Sequence, residues 1–196
     1  FSDDLPSLEK VKEYYQIPFD DFAVVMFHPV TTEASEMNQY ATNFVDALLE
    51  DHHNYVVIYP NNDLGSQFII DNYKKLQNNN RFRVFPSLRF EYFLTLLKES
   101  KFIIGNSSAG IREAPYYGIP IINIGTRQQN RALHADIINV DYKKSAIKEA
   151  LQLIINHKTQ KSNSDFGDGN SSQLFLESLK NNDIWNINHQ KQFKEL

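Results

Sequence analysis

Five short, almost uninterrupted apolar runs constrain this chain more than any other feature: FAVVMFH (22–28), YVVIYP (55–60), FRVFP (82–86), KFIIGN (101–106) and PIINIG (120–125). A strand with one wet face alternates apolar and polar residues, so a run that is apolar throughout reads as a strand covered on both faces. The intervening segments carry helical spacing. Residues 33–50 place Met37, Tyr40, Phe44, Val45, Leu48 and Leu49 along one side. Ser66 to Leu76 form a second helix with Phe68, Ile69 and Tyr73 inward, 90–99 a third, and Gly110 to Tyr117 a short fourth. IINVD (137–141) reads as a short sixth strand ahead of the helix KSAIKEALQLIINH. Strands that alternate with helices are joined by right-handed crossovers, which gives an α/β fold with a doubly wound parallel sheet.

Ligands of such sheets bind at the carboxyl ends of the strands. The unusual residues gather there: His28 with Pro29, Asn61 to Gly65, Asn106 to Gly110, and Gly125 to Arg131. In GNSSAG the small residues let a phosphate approach the backbone, and the following helix offers N–H groups and the positive end of its dipole. Ser107 and Ser108 add hydroxyl donors. The same turn forms without a ligand when Ser merely caps the helix. Glu113, one and a half turns into that helix, is placed to accept vicinal ribose hydroxyls or else is a solvated helix charge. Arg127 follows the next strand, where a guanidinium can pair with a diphosphate or simply face water. His28 closes the first strand, a place for a phosphate-binding or acid His as well as for a structural one. For Asn61 and Asp63, in YPNNDLGS, turn chemistry is explanation enough.

Composition removes several classes of function. A net charge of −4 offers no basic face for nucleic acid. There are no cysteines, and the six His show no metal-ligand spacing, so neither thiol chemistry nor a metal is expected. No apolar run approaches the roughly 20 residues that a membrane span needs. With a charged rather than signal-like start, the reading is a cytoplasmic protein. At 196 residues the chain suits one well-packed domain or half of a two-domain enzyme. The expected organisation is a nucleotide-binding domain over 1–158, a polar linker over 159–172, and a C-terminal amphipathic helix and tail over 173–196 that docks on an apolar surface.

Taken together, FHPVTT, YPNNDLGS, IGNSSAGIREAPYYGIPIINIGTRQ and FGDGNSS, in that order, resemble the C-terminal half of the UDP-N-acetylglucosamine 2-epimerases, most closely the hydrolysing branch of sialic-acid-type biosynthesis. The resemblance covers about residues 20 to 180. It implies a Rossmann-like domain, the C-terminal one of a two-domain glycosyltransferase-B-type enzyme, with the sugar nucleotide between the domains and no cofactor. It also implies UDP and a UDP-N-acetylhexosamine as ligands, the N-terminal domain of the same enzyme as partner, and a homodimer. By the resemblance His28 contacts the diphosphate and assists departure of UDP, as the catalytic residue of this half. Ser107 and Ser108 are the phosphate pair, Glu113 the ribose carboxylate and Arg127 the basic residue of the next loop. Asn61 lines the cleft, and Leu88 falls where uracil meets main chain. The carboxylates credited with proton transfer belong to the N-terminal half, so this chain alone is expected to bind UDP and be inactive. GNSSAGIRE in place of a Ser-Gly-Gly turn favours the hydrolysing over the non-hydrolysing branch, and a non-catalytic nucleotide-binding module is the alternative of another class.

Overall fold

A computed structural model describes residues 5–129, 131, 137–155, 167 and 169–186. The chain divides into two compact units, Ser2–Asn163 and Ser164–Leu196. The first holds six strands, β1 (Ala23–Met26), β2 (Tyr55–Ile58), β3 (Phe82–Phe85), β4 (Ile103–Gly105), β5 (Ile121–Ile124) and β6 (Ile137–Val140), in one sheet of order β3-β2-β1-β4-β5-β6. Every pairing is parallel. The order reverses between β1 and β4, so the chain crosses over there and leaves a crevice at the strand ends.

The apolar runs are covered on both faces, as their composition requires. Val25, Tyr55, Val57, Ile104 and Ile122 pack against α2 (Met37–Glu50), α3 (Ser66–Tyr73) and α6 (Lys144–Ile154). Val24, Val56, Ile103 and Ile121 pack against α1 (Leu8–Tyr15), α4 (Phe90–Lys98) and α5 (Ala109–Tyr117). Successive strand residues thus serve opposite layers.

Two expectations need correction, and one element went unread. The charged N-terminal segment contains α1, whose Leu8, Val11 and Tyr15 face inward while Ser7 accepts from the Lys10 N–H. The helix expected over 33–50 is preceded by a separate 3₁₀ turn, Thr31–Glu33. The last residue of that turn, Glu33, accepts a hydrogen bond from the Thr126 hydroxyl. Phe68 points out of α3, 42% exposed, because the inner face is set by Ile69, Asn72 and Tyr73. The second unit contains α7 (Ser171–Lys180) and α8 (Asn182–Trp185), with the Trp185 indole donating to the Leu179 carbonyl at 2.9 Å. Most of the expected linker, and Phe166 and Asp168 of FGDGNSS, lie outside the described residues. No helix among the described residues is long and apolar enough to cross a membrane.

At the crossover the strands are packed as closely as backbone allows. Gly105 has φ +140°, and a β-carbon there would lie 2.0 Å from the Met26 carbonyl oxygen. Because that neighbour is backbone of the central strand, it has nowhere to go. Gly105→Ala is expected to cost about 3 kcal/mol or more, a fall in melting temperature of roughly 6–12 °C. Thermal unfolding followed by circular dichroism checks this, and a melt within a degree of the parent would refute it.

Candidate nucleotide-binding site

Four loops meet at the carboxyl edge of the sheet, and a single residue joins three of them. Where β4 ends, the Asn106 N–H donates to the Met26 carbonyl at 3.0 Å. Its side chain then continues the strand pairing. Asn106 Oδ1 accepts from the His28 N–H at 2.6 Å, and Nδ2 donates to the His28 carbonyl at 2.8 Å. From the loop after β5, Arg127 and Gln128 each donate to the Asn106 carbonyl, at 3.2 and 2.8 Å. Asn106 is wholly buried.

His28 is held on its other side by the loop after β2. The Asn61 N–H donates to His28 Nδ1 at 3.1 Å, so the neutral ring carries its proton on Nε2. The Asn61 side chain donates to Asp63, which keeps the loop folded. Asn61 Oδ1 is buried and has no hydrogen-bond partner among the described residues. Burial lowers the His28 pKa, the Arg127 guanidinium lowers it further, and Asp63 opposes them; the result is about 4 in place of 6.5. At neutral pH the ring is therefore an uncharged N–H donor.

The serine turn does part of what a cap does. Ser107, buried, accepts from the Ala109 N–H through Oγ at 3.3 Å, and its own hydroxyl proton remains a donor. Ser108 stands at the N-cap of α5 without a side-chain cap bond. The Gly110 and Ile111 N–H groups bond back to the Ser107 and Ser108 carbonyls, at 3.1 and 2.9 Å. Anion donors at this turn are accordingly the two hydroxyls and the first amides, not a row of free N–H groups. Glu113 is half-buried, with Oε2 buried and unpartnered among the described residues. Desolvation raises its pKa.

Leu88 lies half-buried in the loop between β3 and α4, packed against the same layer as Phe93 and Leu96. That loop rests on α1: the Tyr15 hydroxyl accepts from the Arg89 N–H at 3.0 Å, with Tyr15 edge-on to Phe85 at 5.1 Å. The structure thus brings His28, Asn61, Ser107, Ser108, Glu113, Arg127 and Leu88 to one edge of one sheet, joining His28, Asn61 and Arg127 directly or through Asn106. Sequence reasoning missed Gln128, the helix under the Leu88 loop, and a tie in which the Thr126 hydroxyl donates to Glu33 at 2.6 Å. Spacing alone gives no sign of that tie. Gln128, by contrast, adjoins Arg127 in the same loop and is 3% exposed, with its Oε1 unpartnered among the described residues. At the opposite edge, Asp51, His52 and His53 bring ligand-type atoms within 4.8 Å of one another. The Asp51 carboxylate is engaged there by the Tyr55 hydroxyl at 2.6 Å and by His53 at 2.7 Å.

Against known proteins, the family model described as UDP-N-acetylglucosamine 2-epimerase matches residues 2–180. The chain belongs to this family. A UDP-N-acetylglucosamine 2-epimerase of Neisseria meningitidis serogroup B is 47% identical over 198 residues, covering 100% of this chain and 52% of that protein. A UDP-N,N'-diacetylbacillosamine 2-epimerase (hydrolyzing) of Legionella pneumophila is 26% identical, covering 89% of this chain and 50% of that one. The chain therefore spans about half the length of the curated epimerases it matches. Among solved structures, the Methanocaldococcus jannaschii UDP-GlcNAc 2-epimerase in complex with UDP-GlcNAc and UDP superposes with a TM-score of 0.69 at 19% identity, over 87% of this chain and 48% of that one. At that identity the likeness is one of fold, an α/β domain with an all-parallel sheet.

The neutral state of His28 has a direct readout. As pH falls, the unfolded chain takes up this proton near 6.5 and the folded chain only near 4, so the stabilisation is complete above pH 6.5 and lost toward pH 4. The loss amounts to roughly 3 kcal/mol. An NMR titration of the His28 ring should have its midpoint near 4 in the unliganded chain. A midpoint at the ordinary value would refute the geometry-based assignment.

Proposed function

We propose that this chain is the UDP-binding half of a hydrolysing UDP-N-acetylglucosamine 2-epimerase, which converts UDP-N-acetylglucosamine and water to N-acetylmannosamine and UDP. The observation that carries the reading is the convergence of His28 and Arg127 on the buried Asn106, beside the Ser107–Ser108 turn. A diphosphate lying across that turn meets two hydroxyls, a guanidinium and the His28 Nε2–H. Glu113 receives the ribose hydroxyls, which supply the donors that its buried carboxylate lacks. Uracil lies on the main chain near Leu88. Membership of the family and the hydrolysing activity named for the Legionella relative support this assignment.

In the reaction the C2 proton is removed, UDP departs with the C1–O electrons, and water adds to the glycal-like intermediate. Negative charge grows on the diphosphate as the C1–O bond breaks. Arg127, the serine hydroxyls and His28 stabilise that charge, which is transition-state stabilisation of the leaving group. His28 begins neutral, so it acts first as a hydrogen-bond donor. The ring gives its Nε2–H bond to the departing diphosphate and keeps Nδ1 on the Asn61 N–H. The base that abstracts the C2 proton comes from the other half of the enzyme, so this chain binds UDP and turns nothing over. A Ser-Ser-Ala turn in place of Ser-Gly-Gly favours this reading over a non-hydrolysing epimerase.

Calorimetry with UDP and UDP-N-acetylglucosamine tests binding, and a product assay on a chain extended by the N-terminal domain tests chemistry. The extended chain should release free UDP and N-acetylmannosamine, whereas UDP-N-acetylmannosamine as the stable product would sink the hydrolysing assignment. Sustained turnover by the present chain would contradict the division of labour. Glu113→Gln should melt at the same or a higher temperature without ligand, because it removes a desolvated charge. It should also bind UDP about tenfold more weakly and no longer prefer UDP over 2′-deoxy-UDP. An unchanged preference for the ribose hydroxyl would withdraw the role given to Glu113.

A further inference from the structure

Asn106 is uncharged, wholly buried and enclosed on every side by its own chain, so it cannot itself grip a nucleotide. Its bonds nevertheless run to the groups that can. The side-chain amide acts as an extra peptide unit: where the β1–β4 register ends at Met26 opposite Gly105, Oδ1 and Nδ2 pair with both main-chain groups of His28, 78 residues away in sequence. The main-chain carbonyl of the same residue receives Arg127 Nη1 and Gln128 Nε2. We infer that Asn106 is the positioning residue of the diphosphate grip, holding His28 and Arg127 at a fixed separation across the serine turn without touching the ligand. The inference rests on the reading of this edge as a UDP site.

The residue type follows from the bonding pattern. Both the N–H and the C=O of His28 need a partner, because β4 turns into α5 at this point and stops supplying backbone. Asp has two acceptors and would face the His28 carbonyl with an oxygen. Ser or Thr reaches one group but not both, and Ala reaches neither. Asn alone among short side chains has one donor and one acceptor in a planar arrangement that mimics a peptide. The same bonds set the ring. With its main chain fixed, His28 meets the Asn61 N–H through Nδ1 and turns Nε2 to the site. Gln128, 3% exposed, braces the loop that carries Arg127 against the same carbonyl.

The test uses Asn106→Ala, Asn106→Ser and, as a control for lost stability alone, Leu151→Ala in α6, which packs on the far helix layer. Binding of UDP and of uridine is measured by calorimetry, and the His28 tautomer by nitrogen NMR without ligand. The two Asn106 variants should bind UDP about tenfold more weakly or worse while uridine binding changes little, which narrows the gap between the two ligands. Their His28 rings should show mixed tautomers where the parent shows a single Nε2–H form. Leu151→Ala should melt earlier with the gap and the tautomer intact. Equal losses for UDP and uridine, an unaltered His28 tautomer, or failure of both Asn106 variants to fold would each overturn the proposal. If the parent binds neither ligand, the UDP reading itself fails, and the tautomer measurement still decides whether Asn106 positions His28.

Discussion

Between Gly105 and Met26 there is no room for a β-carbon. Two strands that meet this closely bring their following loops within hydrogen-bond reach, and the rest of the carboxyl edge is built on that proximity. Asn106 can pair with the His28 peptide only because Gly105 has already placed it there. Once that pair exists, Asn61 has a fixed ring to bond to and Arg127 a fixed carbonyl. The loop after β5 needs a similar economy of space. Gly125, at φ +72°, leaves the position of a side chain to the Tyr142 ring, which otherwise would lie 2.0 Å from a β-carbon. The Tyr142 hydroxyl in turn accepts from the Thr126 N–H at 3.3 Å, while Thr126 reaches Glu33 on the loop after β1. Backbone approach comes first, and side-chain placement follows from it.

The edge so formed is electrostatically unfinished. His28 is kept neutral by burial and by Arg127, and Glu113 holds a carboxylate with an unpartnered buried oxygen. The Glu113 oxygen costs the empty domain stability, since a buried polar group without a partner loses its water for nothing. On the function proposed above, a nucleoside diphosphate supplies the complementary chemistry, with anionic oxygens for the first group and paired hydroxyls for the second. Unmet needs of opposite sign along one edge are what a folded core would avoid and a binding site uses.

Much of this was legible in the sequence, for reasons that differ from part to part. Strands buried on both faces leave continuous apolar runs, so β1, β2, β4 and β5 could be read directly. The short β6 was marked by IINV and the turn residues after it. α1 was hidden because Leu8, Val11 and Tyr15 are its only inward residues in a charged segment, although their spacing with Ser7 as cap would have revealed it. Phe68 misled because a large apolar side chain was assumed to point inward, whereas Asn72 takes that face by bonding Thr42 at 3.1 Å and the Phe68 carbonyl at 2.9 Å. The carboxyl-edge residues were found from position after a strand. What joins them was not: a side chain that bonds a distant backbone leaves no periodicity behind, so Asn106 read as one more small residue of a turn.

The span of 78 residues between His28 and Asn106 also sets an order of events during folding. β1 finds β2 early, about thirty residues downstream, but its other edge stays open until β3, two helices and β4 have been made and docked. Loop closure over such a distance is slow, and parallel pairing of this kind raises contact order. Until it happens, Val24 and Val25 lie on an unpaired edge that invites pairing with other chains. The carboxyl edge is thus expected among the last parts of the domain to form, and a ligand that needs it completed can favour only chains that have already passed the stage at which they are most prone to aggregate.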